Sequence, residues 1–245
     1  MNKEKIAISI DPGLLDEIDA TVDGTNLRSR SQAIEVLLKQ SIKNKPISAA
    51  VMLMHEQKNL FKNVEGKPLI KHHLNFLKKN RIKDLFIISK IDVAMKNIKE
   101  QNMNINFIDE KEQRGTAAAL KLVENKINND FVVLNGDTIN DFEIKKMMQM
   151  HKSGKAMCTM GLISSNKPSK FGSVVMDGSL IVNFKEKKET ESNIINAGIY
   201  IFKPNVFLLL DEKTKSLEKD LFPKLAKINL LHGYFTLGKY LHLGR

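Results

Sequence analysis

The sequence predicts an α/β protein of two parts: a strand–helix–helix segment over residues 1–46, and a domain with a mainly parallel sheet flanked by helices over residues 47–245. Residues 1–46 carry one segment of alternating apolar residues, followed by two stretches with apolar residues at helical spacing. From residue 47 onward, short apolar runs alternate with helical stretches, a pattern typical of a parallel sheet covered by helices.

The composition is that of an ordinary globular protein, with 42% hydrophobic and 27% charged residues. No apolar run reaches the roughly 20 residues that a membrane-spanning helix needs, so we expect no membrane partner. A single cysteine, Cys158, excludes an internal disulfide, and without a signal-peptide pattern it favours a cytoplasmic location. The net charge of +11 comes from residues 47–245, because residues 1–46 carry seven basic and seven acidic side chains.

The first predicted element is a strand over residues 5–10. Isoleucine occupies positions 6, 8 and 10, and the other face carries Lys5, Ala7 and Ser9. A lone strand has no hydrogen-bonding partner, and a segment of this size buries little apolar surface. We therefore expect a homodimer in which two such strands pair antiparallel.

Two helices are predicted after this strand. Asp11 is the predicted N-cap of the first helix with Pro12 in its first turn, and Asp23-Gly24 ends it. The second helix begins at Ser29 or Ser31, and Lys45-Pro46 ends it.

The motifs KIAISID, LLDEIDATV and RSRSQAIEVLL make this segment resemble the ribbon-helix-helix family. The resemblance implies DNA binding by a two-stranded ribbon in the major groove, with bases contacted by Lys5, Ala7 and Ser9. It also implies that the start of the second helix, at Arg30 and Ser31, binds a DNA phosphate. The alternative is that the segment only dimerises the protein.

The larger domain is predicted to have strands at four apolar runs and helices at two amphipathic stretches. The strands are 49–54, 85–89, 105–108 and 131–134, and the helices are 69–80 and 116–123. Ligands of such sheets bind at the carboxyl ends of the strands. Asp137 follows the fourth strand, where a metal-binding carboxylate belongs, and an aspartate in a tight turn after Gly136 is the alternative.

Six segments make this domain resemble, in order, the nucleotidyltransferase family that makes nucleoside-diphosphate sugars. They are GKPLIKHHLNFLKKNRIKDLFII, EQRGTAAAL, FVVLNGDTI, KFGSVVMDGSLIVNFKEK, INAGIYIFKPNVF and SLEKDLFPKLA. The resemblance runs from about Ala49 to Arg245 and implies the Rossmann-like fold of the nucleotide-diphospho-sugar transferases.

The resemblance also implies the residues of the site. Asp137 would bind Mg²⁺, the cofactor expected if the pocket is active. Nucleotide or sugar contacts would come from Gly115, Thr116, Ala117, Gly172, Glu186, Lys187, Asn196 and Gly198. Glycine lets a ligand approach the backbone, and Lys187 offers a positive charge to a phosphate. Because Glu186 lies in the charge run KEKKETE, a solvated surface position is its alternative.

Two departures from the family pattern affect the catalytic machinery. Active members follow the first strand with a glycine-rich loop that ends in an arginine, and then with a Pro-Lys pair. Here no glycine lies between Ala49 and Glu65, and Lys58, next to the position of the Pro-Lys lysine, is the candidate catalytic lysine. The second metal-binding aspartate is replaced by His242, which suits zinc or manganese better than Mg²⁺, or is a surface residue.

These departures favour a DNA-binding transcription regulator whose larger domain binds a nucleotide, sugar phosphate or nucleotide sugar without turnover. The alternative is an active sugar-1-phosphate nucleotidylyltransferase, dimerised by residues 1–46 and using Lys58 and Asp137. A third hypothesis is a structural or partner-binding module with a dead pocket. The expected partners are therefore DNA, a nucleotide or sugar-phosphate ligand, and further copies of the chain in a homodimer or higher oligomer.

Overall fold

The structure, a computed structural model, describes residue 4 and residues 6–43, 46–54, 56–90, 95–188 and 191–243. The chain divides into two compact units, residues 1–46 and residues 47–245. In the described ranges no helix has both the length and the apolar composition that crossing a membrane requires.

The smaller unit consists of two helices, α1 (Pro12–Ala20) and α2 (Arg30–Lys43). The start of α1 is where the sequence predicts it, because the Asp11 carboxylate accepts a hydrogen bond from the Gly13 amide at 2.9 Å. Proline fits the first turn, where an amide hydrogen has no partner within the helix. Ile18 and Ala33 are buried apolar side chains of this unit.

The strand predicted over residues 5–10 does not form in the described part of the chain. Residues 6–10 have no strand conformation, and Ile6 and Ile8 are 77% and 56% exposed. A strand needs a neighbour for its backbone amides and carbonyls, and no described residue supplies one. Lys5, a predicted base contact, lies outside the described residues.

The larger unit alternates strands with helices. The strands are β1 (Ala49–Leu53), β2 (Asn63–Val64), β3 (Lys67–Pro68), β4 (Asp84–Ser89), β5 (Asn104–Asp109), β6 (Phe131–Asn135), β7 (Thr138–Asn140), β8 (Cys158–Ser164), β9 (Gly172–Asp177), β10 (Leu180–Glu186), β11 (Ile194–Phe202), β12 (Leu231–Phe235) and β13 (Tyr240–His242). The helices are α3 (Leu69–Lys79), α4 (Thr116–Lys121), α5 (Ile144–Ser153) and α6 (Phe222–Lys227). The elements predicted for this domain are confirmed, with small shifts at their ends.

A mixed sheet forms the centre of this unit, in the order β5-β4-β1-β6-β11-β8-β12-β10-β9. The pairs β5–β4, β4–β1, β1–β6 and β8–β12 are parallel. The pairs β6–β11, β11–β8, β12–β10 and β10–β9 are antiparallel. The prediction of a mainly parallel sheet therefore holds from β5 to β6 and is wrong for the rest of the sheet, where most pairs are antiparallel. The physical reason is visible at β9 and β10, whose two-residue connection allows only antiparallel neighbours.

The central sheet is covered by apolar side chains on both faces. Residues of β1 alternate between the faces: Val51 and Leu53 pack in the cluster that includes α4 and α6, whereas Ala50 and Met52 pack with α3 and α5. A strand buried on both faces reads as a continuous apolar run, which explains why β1 could be predicted. Cys158 is buried in the first cluster, and burial raises the pKa of its thiol.

Candidate active site

A cavity of about 370 Å³ opens beyond the carboxyl ends of β1, β4 and β6. Parallel strands end together at this edge of the sheet, and ligands of α/β proteins bind there. The cavity is lined by Leu53, Met54, Glu56, Asn59, Lys62, Ile88, Glu110, Gln113, Gly115, Thr116, Ala119, Asn135, Asp137 and Leu243. Its wall therefore combines apolar contacts with amides and charges of both signs, as expected of a small-molecule site.

Asp137 is held at the cavity edge by a tight turn after β6. The Gly136 amide donates to the Leu53 carbonyl at 2.9 Å, and His73 Nε2 donates to the Gly136 carbonyl at 3.1 Å. Burial lowers the pKa of His73 to about 4, so the ring is neutral near pH 7. A side chain at position 136 would overlap Met54. The turn is thus braced from β1 and from α3, which positions the carboxylate that follows it.

The Asp137 carboxylate lies beside the His242 imidazole, with 3.7 Å between Oδ2 and Nε2. β13 pairs antiparallel with β7, which places His242 opposite Thr138, and the Leu243 amide donates to the Asp137 carbonyl at 2.8 Å. The Phe171 ring meets the His242 ring edge-on, with centroids 5.6 Å apart. His242 is therefore part of the site, and its position is set by backbone pairing.

The Gly115–Ala117 segment, predicted to contact the nucleotide or sugar, contacts a distant part of the chain. Gly115 has φ +111°, and a side chain there would overlap the backbone carbonyl of Lys215. The Ala117 amide donates to that carbonyl at 2.9 Å, and Thr116 Oγ1 donates to Glu218 Oε2 at 2.8 Å. Gly115 and Thr116 line the cavity, whereas Ala117 is buried in the core behind it.

Gly172, Glu186 and Lys187 form a second group. Glu218 connects it to the cavity, because its carboxylate accepts the hydrogen bond from Thr116 and lies near Glu186. A Cβ at Gly172 would come within 2.9 Å of Glu186 Oε2 and would overlap the Phe184 ring. Burial, and then the nearby Glu218 carboxylate, raises the pKa of Glu186. Glu186 is 18% exposed, so it is not an ordinary solvated charge, whereas Lys187 is exposed with its ammonium 3.7 Å from Glu186 Oε1.

Asn196 and Gly198 form an irregularity in β11 that reaches the cavity wall. Asn196 Oδ1 accepts from the Gly198 amide at 2.9 Å, and its Nδ2 donates to the Tyr200 hydroxyl at 2.8 Å. Gly198 has φ +70°, and a Cβ there would lie 3.0 Å from Nδ2 of Asn135, a residue of the cavity wall. Because its amide is bonded inside the protein, Asn196 shapes the wall through this bend of the backbone.

Lys58 does not line the cavity. Its side chain is 78% exposed, and its ammonium lies 3.4 Å from Glu56 Oε2. Two neighbours that the sequence analysis did not assign line the cavity instead: Lys62, and Asn59, whose buried Oδ1 has no hydrogen-bond partner among the described residues. The 3-10 turn Gln57–Phe61 explains the difference, because with three residues per turn a shift of one residue points a side chain elsewhere.

A model of the nucleotidyl transferase family matches residues 46–240, which is most of the chain and contains every residue that the sequence assigned to the nucleotide or sugar. The chain belongs to the nucleotidyl transferase family. The resemblance stated for the larger domain is thereby confirmed, and residues 1–45 lie outside the match.

Curated relatives of the chain are named as guanyltransferases. Mannose-1-phosphate guanyltransferase 2 of Candida glabrata is 35% identical over 193 residues, which cover 74% of this chain and 54% of the relative. Mannose-1-phosphate guanyltransferase of Saccharomyces cerevisiae is 34% identical over 193 residues, with the same shares of the two chains. The chain thus spans about half the length of the curated relatives it matches.

Solved structures show the fold of the family. HddC from Yersinia pseudotuberculosis, complexed with GMP-PN, has a TM-score of 0.69 at 22% identity over 81% of this chain and 95% of the other. The inositol-1-phosphate CTP transferase from T. maritima has a TM-score of 0.66 at 16% identity over 81% of this chain and 89% of the other. At these identities the likeness establishes the nucleotide-diphospho-sugar transferase fold alone.

The hypothesis of a DNA-binding transcription regulator is wrong, because the curated relatives of the chain are guanyltransferases. The structure adds a physical reason at the predicted phosphate site. Arg30 donates to both carboxylate oxygens of Asp19, at 2.7 and 2.5 Å, so its charge is neutralised within the protein. Ser31, Ala7 and Ser9 are exposed, in a segment with no net charge to attract a nucleic acid. The enzymatic alternative is the better supported one.

Proposed function

We propose that residues 47–245 form a sugar-1-phosphate nucleotidylyltransferase, which joins a nucleoside triphosphate to a sugar 1-phosphate and releases pyrophosphate. The observation that carries the proposal is the cavity at the ends of β1, β4 and β6, with Asp137 at one edge and Gly115 and Thr116 at another. The family match and the names of the curated relatives support it.

GTP and mannose 1-phosphate are the first substrates to test. The curated relatives are named for transfer of a guanyl group to mannose 1-phosphate, and they match most of this chain. The cavity of about 370 Å³ falls within the size range of small-molecule sites.

The predicted site residues divide between the two substrates. We assign the nucleotide to the cavity wall formed by Gly115 and Thr116, with Ala117 buried behind them. The sugar phosphate is assigned to the second group, Gly172, Glu186, Lys187, Asn196 and Gly198. This assignment is taken from the family resemblance. The contacts of Glu218 with Thr116 and Glu186 support it, because they link the two groups of residues.

In the reaction, a phosphate oxygen of the sugar 1-phosphate forms a bond with the α-phosphorus of the triphosphate. The bond from that phosphorus to the bridging oxygen breaks, and the pyrophosphate leaves with the electron pair. Negative charge grows on the leaving group, so cations placed beside it lower the barrier. Lys62 lines the cavity and Lys187 stands beside Glu186, while Lys58, the lysine predicted from the sequence, stays a candidate for the same role.

The donor set at Asp137 fits Mg²⁺ only in part. Mg²⁺ prefers oxygen ligands in an octahedral arrangement, and the Asp137 carboxylate meets that preference. The neighbouring donor, His242 Nε2, is an imidazole nitrogen, which suits other divalent ions better. The pair as a whole therefore does not fit Mg²⁺, and the roles derived above use side chains and backbone only.

Pyrophosphate release by the whole chain tests the proposal. The chain is mixed with GTP and mannose 1-phosphate in the presence of Mg²⁺, Mn²⁺ or Zn²⁺, and we expect release that requires the sugar phosphate. Asp137→Asn should abolish it, whereas Asp141→Asn, which changes an exposed carboxylate nearby, should retain it. Absence of release with every combination of the common nucleoside triphosphates and hexose 1-phosphates would overturn the proposal.

Residues 1–46 are proposed to join two chains by antiparallel pairing of residues 5–10, which would become a strand on pairing, in the manner of a ribbon-helix-helix pair but without a role in DNA binding. The support is the exposure of Ile6 and Ile8, which would be covered if two such segments paired antiparallel. Sedimentation should then show a dimer or a higher oligomer that Ile8→Glu dissociates, with Ser9→Glu on the other face as the control. A monomer in the unmodified chain would contradict this. The cytoplasmic location stays a prediction, as does a nucleotide or sugar-phosphate partner.

A further inference from the structure

We propose that Asp137 and His242 form a metal site that selects first-row transition ions, such as Mn²⁺, Co²⁺ and Zn²⁺, over Mg²⁺. The inference deepens the proposed function and rests on it, because the pair lies at the edge of the cavity assigned to the nucleotide. Metal selection itself is a binding property that can be measured without turnover.

The chemistry of the two donors is the first argument. Mg²⁺ takes oxygen ligands and holds its water strongly, whereas imidazole nitrogen is a common ligand of zinc and of other transition ions. The affinity of a site with one carboxylate and one imidazole should therefore rise from manganese through cobalt to zinc. Its affinity for magnesium should be low. His242 is the residue that separates this donor set from a pair of carboxylates.

The distance between the donors is the second argument. Asp137 Oδ2 and His242 Nε2 are 3.7 Å apart, which is longer than an N–H···O hydrogen bond. Two donors that each lie about 2.1 Å from one tetrahedral ion are separated by roughly 3.4 Å. The observed separation is therefore closer to two ligands of one ion than to a hydrogen-bonded pair.

The backbone already holds both donors in this relation. β7 and β13 place His242 opposite Thr138, and the hydrogen bond from Leu243 N to Asp137 O fixes the same register at 2.8 Å. The edge-on Phe171 ring restricts the orientation of the imidazole. Ligands that are positioned before the ion arrives cost less conformational entropy on binding.

The remaining coordination positions are open to other ligands. The side chains of Asp137 and His242 are 35% and 31% exposed, and among the described residues they belong to no group of three His, Cys, Asp or Glu that could hold a metal. Water or phosphate oxygens would complete the coordination. A site with two protein ligands binds an ion weakly alone and more tightly with a phosphate, so both conditions enter the test.

The test is direct binding to the whole chain by calorimetry, with Mg²⁺, Mn²⁺, Co²⁺ and Zn²⁺ as separate probes, with and without GTP. Wild-type chain should bind Zn²⁺ and Co²⁺ at least about tenfold more tightly than Mg²⁺, as the order for nitrogen-containing sites predicts. Visible absorption of bound Co²⁺ gives a second readout, because its bands report the coordination geometry.

Three variants complete the experiment. His242→Asp should raise the affinity for Mg²⁺ relative to Zn²⁺, and Asp137→Asn should weaken the binding of all four ions. His232→Ala, which removes a histidine elsewhere in the domain, should leave the order of affinities unchanged. Thermal unfolding of each variant verifies that the fold is intact.

Two results would overturn the inference: equal affinity of the wild type for Mg²⁺ and Zn²⁺, or unchanged Zn²⁺ selectivity in His242→Asp. These results are separable from those on the proposed function. Selective metal binding without pyrophosphate release would support the metal site and contradict the proposed enzymatic function. Pyrophosphate release that every ion supports equally, without selective binding, would support the enzymatic function and contradict the metal site.

Discussion

The Thr116 hydroxyl donates a hydrogen bond of 2.8 Å to Glu218, a residue 102 positions further along the chain. The same oxygen accepts a hydrogen bond from the Leu217 amide at 2.9 Å. Thr116 thereby connects the start of α4 to the π-helical turn Leu217–Leu221, and it also lines the cavity. One side chain thus joins the cavity to the turn that contains Glu218, whose carboxylate lies near Glu186.

Removing this hydroxyl should destabilise the fold. Thr116→Val keeps the shape of the side chain but leaves the Leu217 amide without its partner and Glu218 Oε2 with only its hydrogen bond from Ser216 Oγ, which costs about 1–3 kcal/mol. Urea unfolding measures the change. Thr116→Ser retains the hydroxyl and should stay within about 1 kcal/mol of the wild type. Equal losses in the two variants would show that packing, and not the hydrogen bonds, matters at this position.

Two lysines are candidates for the cation that lies beside the triphosphate. Lys62 lines the cavity, whereas Lys58 is paired with Glu56 and points elsewhere. We expect Lys62→Ala to weaken GTP binding about tenfold, equivalent to about 1.4 kcal/mol, and Lys58→Ala to change it by less than about twofold. Calorimetric titration of GTP measures both. A larger loss in Lys58→Ala would favour the lysine predicted from the sequence.

Glu186 should lower the stability of the fold near neutral pH. Burial and the Glu218 carboxylate raise the pKa of Glu186 in the folded state, so the folded state holds its proton at a pH where the unfolded state has lost it. Stability from this group is present below its unfolded pKa and is lost as pH rises through the folded pKa. Glu186→Gln, which does not ionise, should therefore be more stable than the wild type at pH 7, with a smaller difference at pH 4.

Thermal unfolding at both pH values measures this effect of Glu186. The control is Glu212→Gln, which neutralises an exposed carboxylate in a turn and should have little effect. Destabilisation by Glu186→Gln at pH 7 would mean that the ion pair with Lys187 outweighs burial and repulsion.

His151 should make the fold sensitive to acid. Burial, and then Lys203, lowers the pKa of His151 to about 3, while Nδ1 shares a hydrogen bond of 2.8 Å with Thr159 Oγ1. The stability from a neutral His151 is complete above its unfolded pKa of about 6.5 and is lost as pH falls from there toward 3. The double variant His151→Leu/Thr159→Val removes both polar partners from the core, so its stability should depend less on pH.

Denaturant unfolding between pH 7 and pH 4 measures the slope of stability against pH. The wild type should lose up to about 1.4 kcal/mol per pH unit more than the double variant, which corresponds to one proton. His73, whose pKa is also lowered by burial, remains in both proteins and contributes equally to their slopes. Identical slopes would mean that His151 takes up its proton in the folded state as readily as in the unfolded state, so that burial does not lower its pKa.

Local signals in the sequence predicted many of the helices and strands. Asp11 and Pro12 marked the start of α1, and the apolar run of β1 marked a strand buried on both faces. The antiparallel pairs of the sheet beyond β6 were not predicted, because the partner of a strand depends on distant segments of the chain. The strand over residues 5–10 is a related case, since its expected partner belongs to another chain.

The candidate site was predicted in part for similar reasons. Asp137 follows a strand in the sequence, so a local pattern pointed to it. Asn135 ends that same strand and could have been found by the same reasoning. Glu218 could not, because its contact with Thr116 spans 102 residues. Lys62 and Asn59 were missed because the rotation within a 3-10 turn decides which side chains face the cavity.

The close approach of Gly115 to the Lys215 carbonyl has a consequence for how this family could diverge. Gly115, in the wall assigned to the nucleotide, packs against a segment of the chain a hundred residues further on, and a side chain at position 115 would overlap the Lys215 carbonyl. A larger residue at position 115 would require a compensating retreat of the backbone at position 215. New base preferences in such a domain should therefore arise through paired changes in the two segments.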